Sequence, residues 1–260
     1  MSQTALVTGA SGGIGYEFAK VLAENKYNLI LTARSEDKLN QHKHDFEKKY
    51  QVQVSVIPGD LSIGQTPEKI FHRVNDLGLQ TDVLINNAGF GDYGEFINTR
   101  WNRQAEMIEL NVTSLTHLTR LFLPGMVERR RGKIVNVAST AAFIPGPFMS
   151  VYYGSKAFVL SFSEAIANEL KPTGVTVTCL CPGPTQSDFQ SRAYIENAKF
   201  IKGKKLPTSE EVARYGYAAM MKGKTVAVAG FNNKVLSMIP RFLPRDICAN
   251  IVSMIQKSKV

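Results

Sequence analysis

At 260 residues, with 44% hydrophobic and 20% charged side chains, the chain has ordinary globular composition and enough length for one sizeable core, so a single domain is expected. No apolar run reaches the roughly 18 to 20 residues of a membrane span, and the first strand-like run starts at Thr4, which leaves no room for a signal peptide; a soluble, cytoplasmic protein is expected. The formal charge of +9 is spread out, with small clusters only at Arg129 to Arg131 and Lys202 to Lys205 and no aromatic-basic interleaving, so it reads as solvated charge with no nucleic-acid partner, part of it serving a phosphate-rich cofactor.

In chain order, strand-like and helix-like segments alternate from end to end. Thr4 to Thr8 reads as a strand and Ile14 to Asn25 as a helix. Between them lies Thr8-Gly9-Ala10-Ser11-Gly12-Gly13-Ile14-Gly15, a glycine turn that passes from a first strand directly into a first helix. Glycines there allow a tight turn and let backbone N–H groups approach a pyrophosphate at the helix N-terminus, so the turn points to dinucleotide binding rather than a merely structural bend. Its spacing has two readings: Gly9, Gly13 and Gly15 form one, and Gly9, Gly12 and Gly15 the other.

The second strand, Asn28 to Ala33, ends at Ala33-Arg34-Ser35, where an acidic residue would grip the ribose of NAD. Arg34 can pair with a 2′-phosphate instead, which favours NADP(H) over NAD(H), although a plain solvent-exposed arginine at a helix start is the simpler alternative. A helix over Ser35 to Tyr50 and a strand over Val52 to Ile57 follow; Thr66-Pro67-Glu68 then offers an N-cap and a proline at the first helical position. Asp82 to Asn86, Gly132 to Ala138 and Gly174 to Leu180 are further β-branched runs, separated by helical patterns around 100 to 123 and 151 to 171. Thr208-Ser209-Glu210-Glu211 is a capping box, and Thr225 to Ala229 is a last strand.

Continuous apolar strands alternating with helices predict an α/β fold, a Rossmann-like doubly wound, mostly parallel sheet with a ligand crevice beyond the carboxyl ends of its strands. Within the helix opened by Val151-Tyr-Tyr-Gly-Ser-Lys156, Tyr152 and Lys156 are four residues apart and share a face, whereas Tyr153 is matched with Ala157. A phenol titrates near pH ~10, and a neighbouring ammonium lowers that value, so Tyr152 is a candidate general acid/base. Cys179 and Cys181 lie in a buried strand pattern with no second Cys/His pair nearby, and the four histidines form no ligand motif, so no metal is expected.

With the turn at Thr8 to Gly15, Asp60-Leu61 after the third strand, Asn86-Asn87-Ala88-Gly89 after the fourth, Ser139 after the fifth, Tyr152-x-x-x-Lys156 and Pro182-Gly183-Pro184-Thr185 after the sixth, the chain resembles the compact branch of the short-chain dehydrogenase/reductase family. The resemblance implies that Gly9, Ser11, Gly13, Ile14 and Gly15 hold the pyrophosphate side, Arg34 the adenosine phosphate, Asp60 and Leu61 the adenine, and Asn87, Ala88 and Gly89 the adenine-ribose wall. It places Pro182, Gly183 and Thr185 beside the nicotinamide, gives Tyr152 the proton, Ser139 the substrate carbonyl and Lys156 both the pKa of Tyr152 and the nicotinamide ribose, and makes Asn111 a helix-kinking residue in a proton relay. Read from its own surroundings, Asn111 is equally a helix-interior polar group bonded to a carbonyl.

The resemblance implies interconversion of a small-molecule carbonyl and alcohol by a homodimer or homotetramer; a dinucleotide-binding redox sensor or scaffold without turnover is the alternative. Phe90, Tyr93 and Phe143 to Phe148, together with Phe189, Tyr194, Ile195, Phe200 and Ile201 of a lid at about 185 to 207, are expected to rim an apolar pocket or to pack a core or interface. The tail from about 234 to 260 mixes cations with an apolar face. Three readings compete: a cover for the pocket, an oligomer contact and a membrane-surface anchor; packing or pocket cover leads, and the anchor is not favoured.

Overall fold

The computed structural model describes residues 3–186 and 206–257. Among these, seven strands form one parallel sheet: β1 (Thr4–Thr8), β2 (Asn28–Thr32), β3 (Val54–Val56), β4 (Val83–Asn86), β5 (Gly132–Val137), β6 (Val175–Cys181) and β7 (Val226–Val228), in the order β3-β2-β1-β4-β5-β6-β7. Helices α1 (Gly13–Glu24), α2 (Glu36–Tyr50), α3 (Thr66–Asp76), α4 (Trp101–Ile108), α5 (Leu115–Glu128), α6 (Ser150–Glu169) and α7 (Ser209–Met221) connect and cover it. The tail forms α8 (Phe231–Met238) and α9 (Arg245–Lys257).

The alternating pattern works because a parallel sheet is buried on both faces, so each strand must be apolar along its length. One side packs Val7, Leu29, Leu31 and Ile85 against Phe18 and Leu22 of α1 and Val212 of α7. The other packs Leu6, Ile30 and Leu84 against Ile70 of α3 and Leu118 and Phe122 of α5. Each such fully buried side chain contributes roughly 1.5–3 kcal/mol.

Several boundaries differ from the sequence expectation for local reasons. β3 is shortened to Val54–Val56 because β2 pairs with it only from Leu29 to Leu31. Thr66 is not a cap but the first residue of α3: its N–H already donates to the Ile63 carbonyl at 2.9 Å, so the preceding turn winds straight into the helix. The pattern at 100–123 is α4 and α5 joined through a π-helical turn, Glu109–Ser114, and α5 runs on past Pro124. Proline leaves the carbonyl four residues back unpaired; that residue, Arg120, is exposed and its carbonyl can be solvated. The capping box forms as read, Thr208 Oγ1 accepting from Glu211 N and Thr208 N donating to Glu211 Oε2. Thr208 to Met221 thereby starts cleanly beyond the lid, most of which, including Phe189, Tyr194, Ile195, Phe200 and Ile201, lies outside the described residues.

The strand order reverses between β1 and β4, and the loops leaving the carboxyl ends of these two strands open a crevice. Thr8 ties the two ends together: its Oγ1 accepts from Asn87 N (2.9 Å) and Ala88 N (3.0 Å) and donates to the Ile85 carbonyl.

Candidate active site

A cleft of about 450 Å³ runs along the carboxyl ends of the sheet and is walled by the segments following β1 to β6. At one end stand Ser11, Gly12, Gly13, Ile14, Arg34, Asp60 and Leu61; at the other, Ser139, Tyr152, Lys156, Pro182, Gly183 and Thr185. Gly9, Asn87, Ala88 and Gly89 line the wall between them.

The two readings of the glycine turn are resolved by backbone geometry. Gly9 and Gly13 adopt φ of 66° and 56°, the left-handed region that side chains rarely enter. A Cβ on Gly15 would lie 2.4 Å from the Gly9 carbonyl oxygen, whereas one on Gly12 would meet nothing within 4 Å. The required glycines are therefore Gly9, Gly13 and Gly15. α1 begins at Gly13 with no side-chain cap and no acidic residue in its first turn, leaving its N–H groups and positive dipole end open on the cleft. An unpaired helix start within a glycine cradle is what a pyrophosphate requires, and the residues present fit a dinucleotide.

Arg34 is 70% exposed and its guanidinium lies 3.9 Å from Asp60 Oδ2, a loose pair at the end of the cleft that holds the glycine turn. Asp60 Oδ1 accepts from Ser62 N and Ser62 Oγ, which fixes the loop after β3. Leu61 touches the cleft, but it is otherwise buried among Ile57, Ile70 and Val74. Asn87 also lines the cleft, while its amide donates to the Thr8 carbonyl at 2.9 Å and so braces the glycine turn.

At the other end, Ser139 follows β5 and caps a short 3₁₀ turn, its Oγ accepting from Ala141 N at 3.1 Å. Tyr152 and Lys156, one turn apart on α6, are both buried, with the ammonium 5.8 Å from the phenol ring centroid and donating to the Val137 carbonyl at 2.8 Å. Lowering of the Tyr152 pKa by its lysine is not the net result. Burial pushes the phenol well above its usual value, and a hydrogen bond with Ser139 only partly offsets this. Tyr152 is thus a protonated donor at neutral pH, and Ser139 is the partner that favours its ionised form. Burial also drives Lys156 down to about 8.

That depression gives a stability prediction. Between about pH 8 and 10.5 the unfolded chain holds a proton on Lys156 that the folded chain has released, so stability rises with pH across this window; below it the charge-burial penalty is full and constant. Relative to Lys156→Met, the wild type should gain up to about 3 kcal/mol between pH 7 and 10.5 in denaturant unfolding. A difference between the two proteins that stays flat with pH would show that Lys156 is not buried as described.

Asn111 lies outside the cleft wall, in the π-helical turn, and its side chain is fully engaged. Its Oδ1 accepts from Phe90 N (3.1 Å), and its Nδ2 donates to the Phe90 carbonyl (3.0 Å) and to Ser155 Oγ (3.1 Å). Ser155 in turn donates to the Tyr152 carbonyl at 2.7 Å. The side chain therefore splices the loop after β4 to the helix that carries Tyr152.

Of the expected apolar rim, Phe90 lines the cleft together with Leu110, Ala141, Met149 and Tyr153. Tyr93 and Phe148 instead stand against each other with ring centroids 6.0 Å apart, and Phe143 packs near Leu115 and Val159. Sequence reasoning missed Arg103, whose guanidinium lies 4.1 Å from the Phe90 ring centroid at the cleft wall. It also missed Gln256 of α9, whose backbone carbonyl accepts from Tyr93 Oη (3.0 Å) and whose Nε2 donates to Tyr153 Oη (3.0 Å). No described tail residue lines the cleft, and Gln256 instead braces from behind the wall that bears Tyr153. No metal-binding cluster exists among the described residues.

Fold and cleft together define a member of the dinucleotide-binding α/β class. The profile described as short chain dehydrogenase matches residues 3–197. The chain is 38% identical over 180 residues to the very-long-chain 3-oxoacyl-CoA reductase of Phaeosphaeria nodorum, covering 68% of this chain and 53% of that one. It is 37% identical over 186 residues to the Mus musculus protein of the same name, covering 70% and 59%. The match thus spans a little over half the length of these curated relatives. Among solved structures, a short-chain dehydrogenase from Sphingobium yanoikuyae in complex with NADPH superposes with a TM-score of 0.82 at 27% identity, covering 92% of this chain and 94% of that one. A 7beta-hydroxysteroid dehydrogenase does so with a TM-score of 0.84 at 25% identity over 96% of each chain. The chain belongs to the short-chain dehydrogenase/reductase family.

Proposed function

We propose that the protein is an NADP(H)-dependent reductase that interconverts a carbonyl and an alcohol on an apolar substrate, with a long-chain 3-oxoacyl thioester as the substrate class. The observation that carries the reading is the meeting of Ser139, Tyr152 and Lys156 in the same cleft as the uncapped start of α1. The names of the curated relatives support the 3-oxoacyl class, and the wall of Phe90, Leu110, Ala141 and Met149 suits an acyl chain.

When bound, the cofactor supplies the hydride. The protein's part is orientation and proton movement. Ser139 Oγ holds the substrate oxygen and stabilises the charge that develops there. Tyr152 Oη, kept protonated by burial, gives that oxygen its proton in the reductive direction. Lys156 contributes the positive charge beside the phenol, so that a proton lost from Tyr152 leaves an anion next to a cation.

Fluorescence titration with NADPH and NADH, followed by an NADPH-oxidation assay over 3-oxoacyl thioesters and apolar ketones, tests the reading. Tight NADPH binding with turnover of 3-oxoacyl thioesters is expected. Binding without turnover of any carbonyl would favour the sensor alternative, and failure to bind either nucleotide would remove the reading altogether. Arg34→Ala should cut the preference for NADPH over NADH by about tenfold, or ~1.4 kcal/mol, a modest value because the guanidinium is exposed. An unchanged ratio would take the 2′-phosphate away from Arg34.

A further inference from the structure

The segment from Phe231 to Lys257 leaves large apolar side chains in solvent although it is docked on the fold. Phe231 is 78% exposed, Phe242 80% and Met254 67%. In α9 one stripe, Cys248, Val252 and Gln256, is buried, and Gln256 holds the helix to Tyr93 and Tyr153. The neighbouring stripe, Ile247, Ile251 and Met254, faces outward, and Asp246, Asn250 and Lys257 occupy a third, polar side. α8 repeats the arrangement, with Phe231, Val235 and Met238 exposed at helical spacing. The inward contacts of α9 are already made, so its outer stripe is not a core face waiting for another part of the same sheet.

Charge says what covers it. The segment carries exposed Lys234, Arg241, Arg245 and Lys257 against Asp246 alone, on a chain of net charge +9. Facing a second copy would set cations against cations, whereas an anionic lipid surface accepts the apolar side chains and the cations together. At eight and thirteen residues the helices are roughly 12 and 20 Å long, and no described helix is long and apolar enough to cross a membrane, so they would lie in the interface plane. We propose that α8, α9 and the turn between them form a docking surface for anionic phospholipid bilayers. The face that sequence reasoning had left as a lesser possibility thus becomes the assignment, and it puts the lipid beside the wall bearing Tyr153, next to Tyr152.

The test is flotation of the full chain with vesicles of phosphatidylcholine alone and of phosphatidylcholine mixed with phosphatidylglycerol. Binding to the mixed vesicles, weakened by salt and much weaker on the neutral ones, is expected. Arg241→Gln and Arg245→Gln should each lower partition about fivefold, the ~1 kcal/mol of one basic side chain at an anionic surface. Phe231→Ser, Phe242→Ser and Met254→Ser combined should lower it at least about tenfold, with an unchanged circular dichroism spectrum because all three are exposed. Absence of wild-type binding, or equal binding by the triple variant, overturns the proposal. So does a dimer that the triple variant dissolves without any vesicle binding, which would give the face to a second copy. Turnover is not measured, so the outcome is independent of the reductase reading.

Discussion

Tyr152→Phe should lower kcat/KM by about 10² to 10⁴ while leaving the NADPH dissociation constant within about threefold. The substitution keeps the ring, which lies in a buried cluster with Phe90, Met107, Ala141 and Met149 and stands edge-on to Tyr153. It removes only the hydroxyl and with it the bond to Ser139. Burial already disfavours the phenolate, so in the reductive direction the wild type starts from the form that can donate, and the variant has no proton to give. Retained turnover would assign the proton to another group. Loss of nucleotide binding together with turnover would mean that Tyr152 shapes the cleft rather than acting in the reaction. Steady-state kinetics with a 3-oxoacyl thioester, paired with a fluorescence titration, separates the three cases.

The alternation of strands and helices was legible because a sheet buried on both faces must write its strands as unbroken apolar runs, and Thr4–Thr8 and Asn28–Thr32 do so. The Tyr152 and Lys156 pair was legible because one helical turn is a local relation. What escaped was either long-range or a matter of burial. Asn111 was legible as a kinking, carbonyl-bonded residue, but its partners were not: it reaches Phe90 and Ser155 across 21 and 44 residues of chain, and Gln256 reaches Tyr153 across 103, distances over which no periodicity carries information. The π-helical turn at Glu109–Ser114 adds one residue to a helical repeat and barely disturbs the apolar pattern from which a helix is read. The sign of the Tyr152 shift was missed because spacing showed the lysine and could not show that the phenol is enclosed. The tail's amphipathic character was plain in sequence, but which apolar stripe turns inward depended on where Tyr93 and Tyr153 stand.

The second large effect is expected from a single methyl group. Gly15→Ala and Gly12→Ala make the same chemical change three residues apart, and their outcomes should be opposite for the fold. At Gly15 the new Cβ would lie 2.4 Å from both the Gly9 oxygen and Asn87 Nδ2, and the Gly9 oxygen belongs to a turn already held in the left-handed region. Asn87 has little freedom to move, because its amide also holds the Thr8 carbonyl. Relief therefore requires displacement of the turn, at a cost of about 1–3 kcal/mol and a fall of roughly 2–12 °C in unfolding midpoint for a chain of this size. The displaced N–H groups are those offered to the pyrophosphate, so NADPH affinity should drop by about a hundredfold or more. At Gly12 the backbone is extended, with φ of 175°, and the added methyl meets no atom within 4 Å, so the unfolding midpoint should stay within about 1–2 °C of wild type. Thermal unfolding and NADPH titration of both variants decide the matter. Equal midpoints would show that Gly9, Gly13 and Gly15 are not the glycines on which the turn depends.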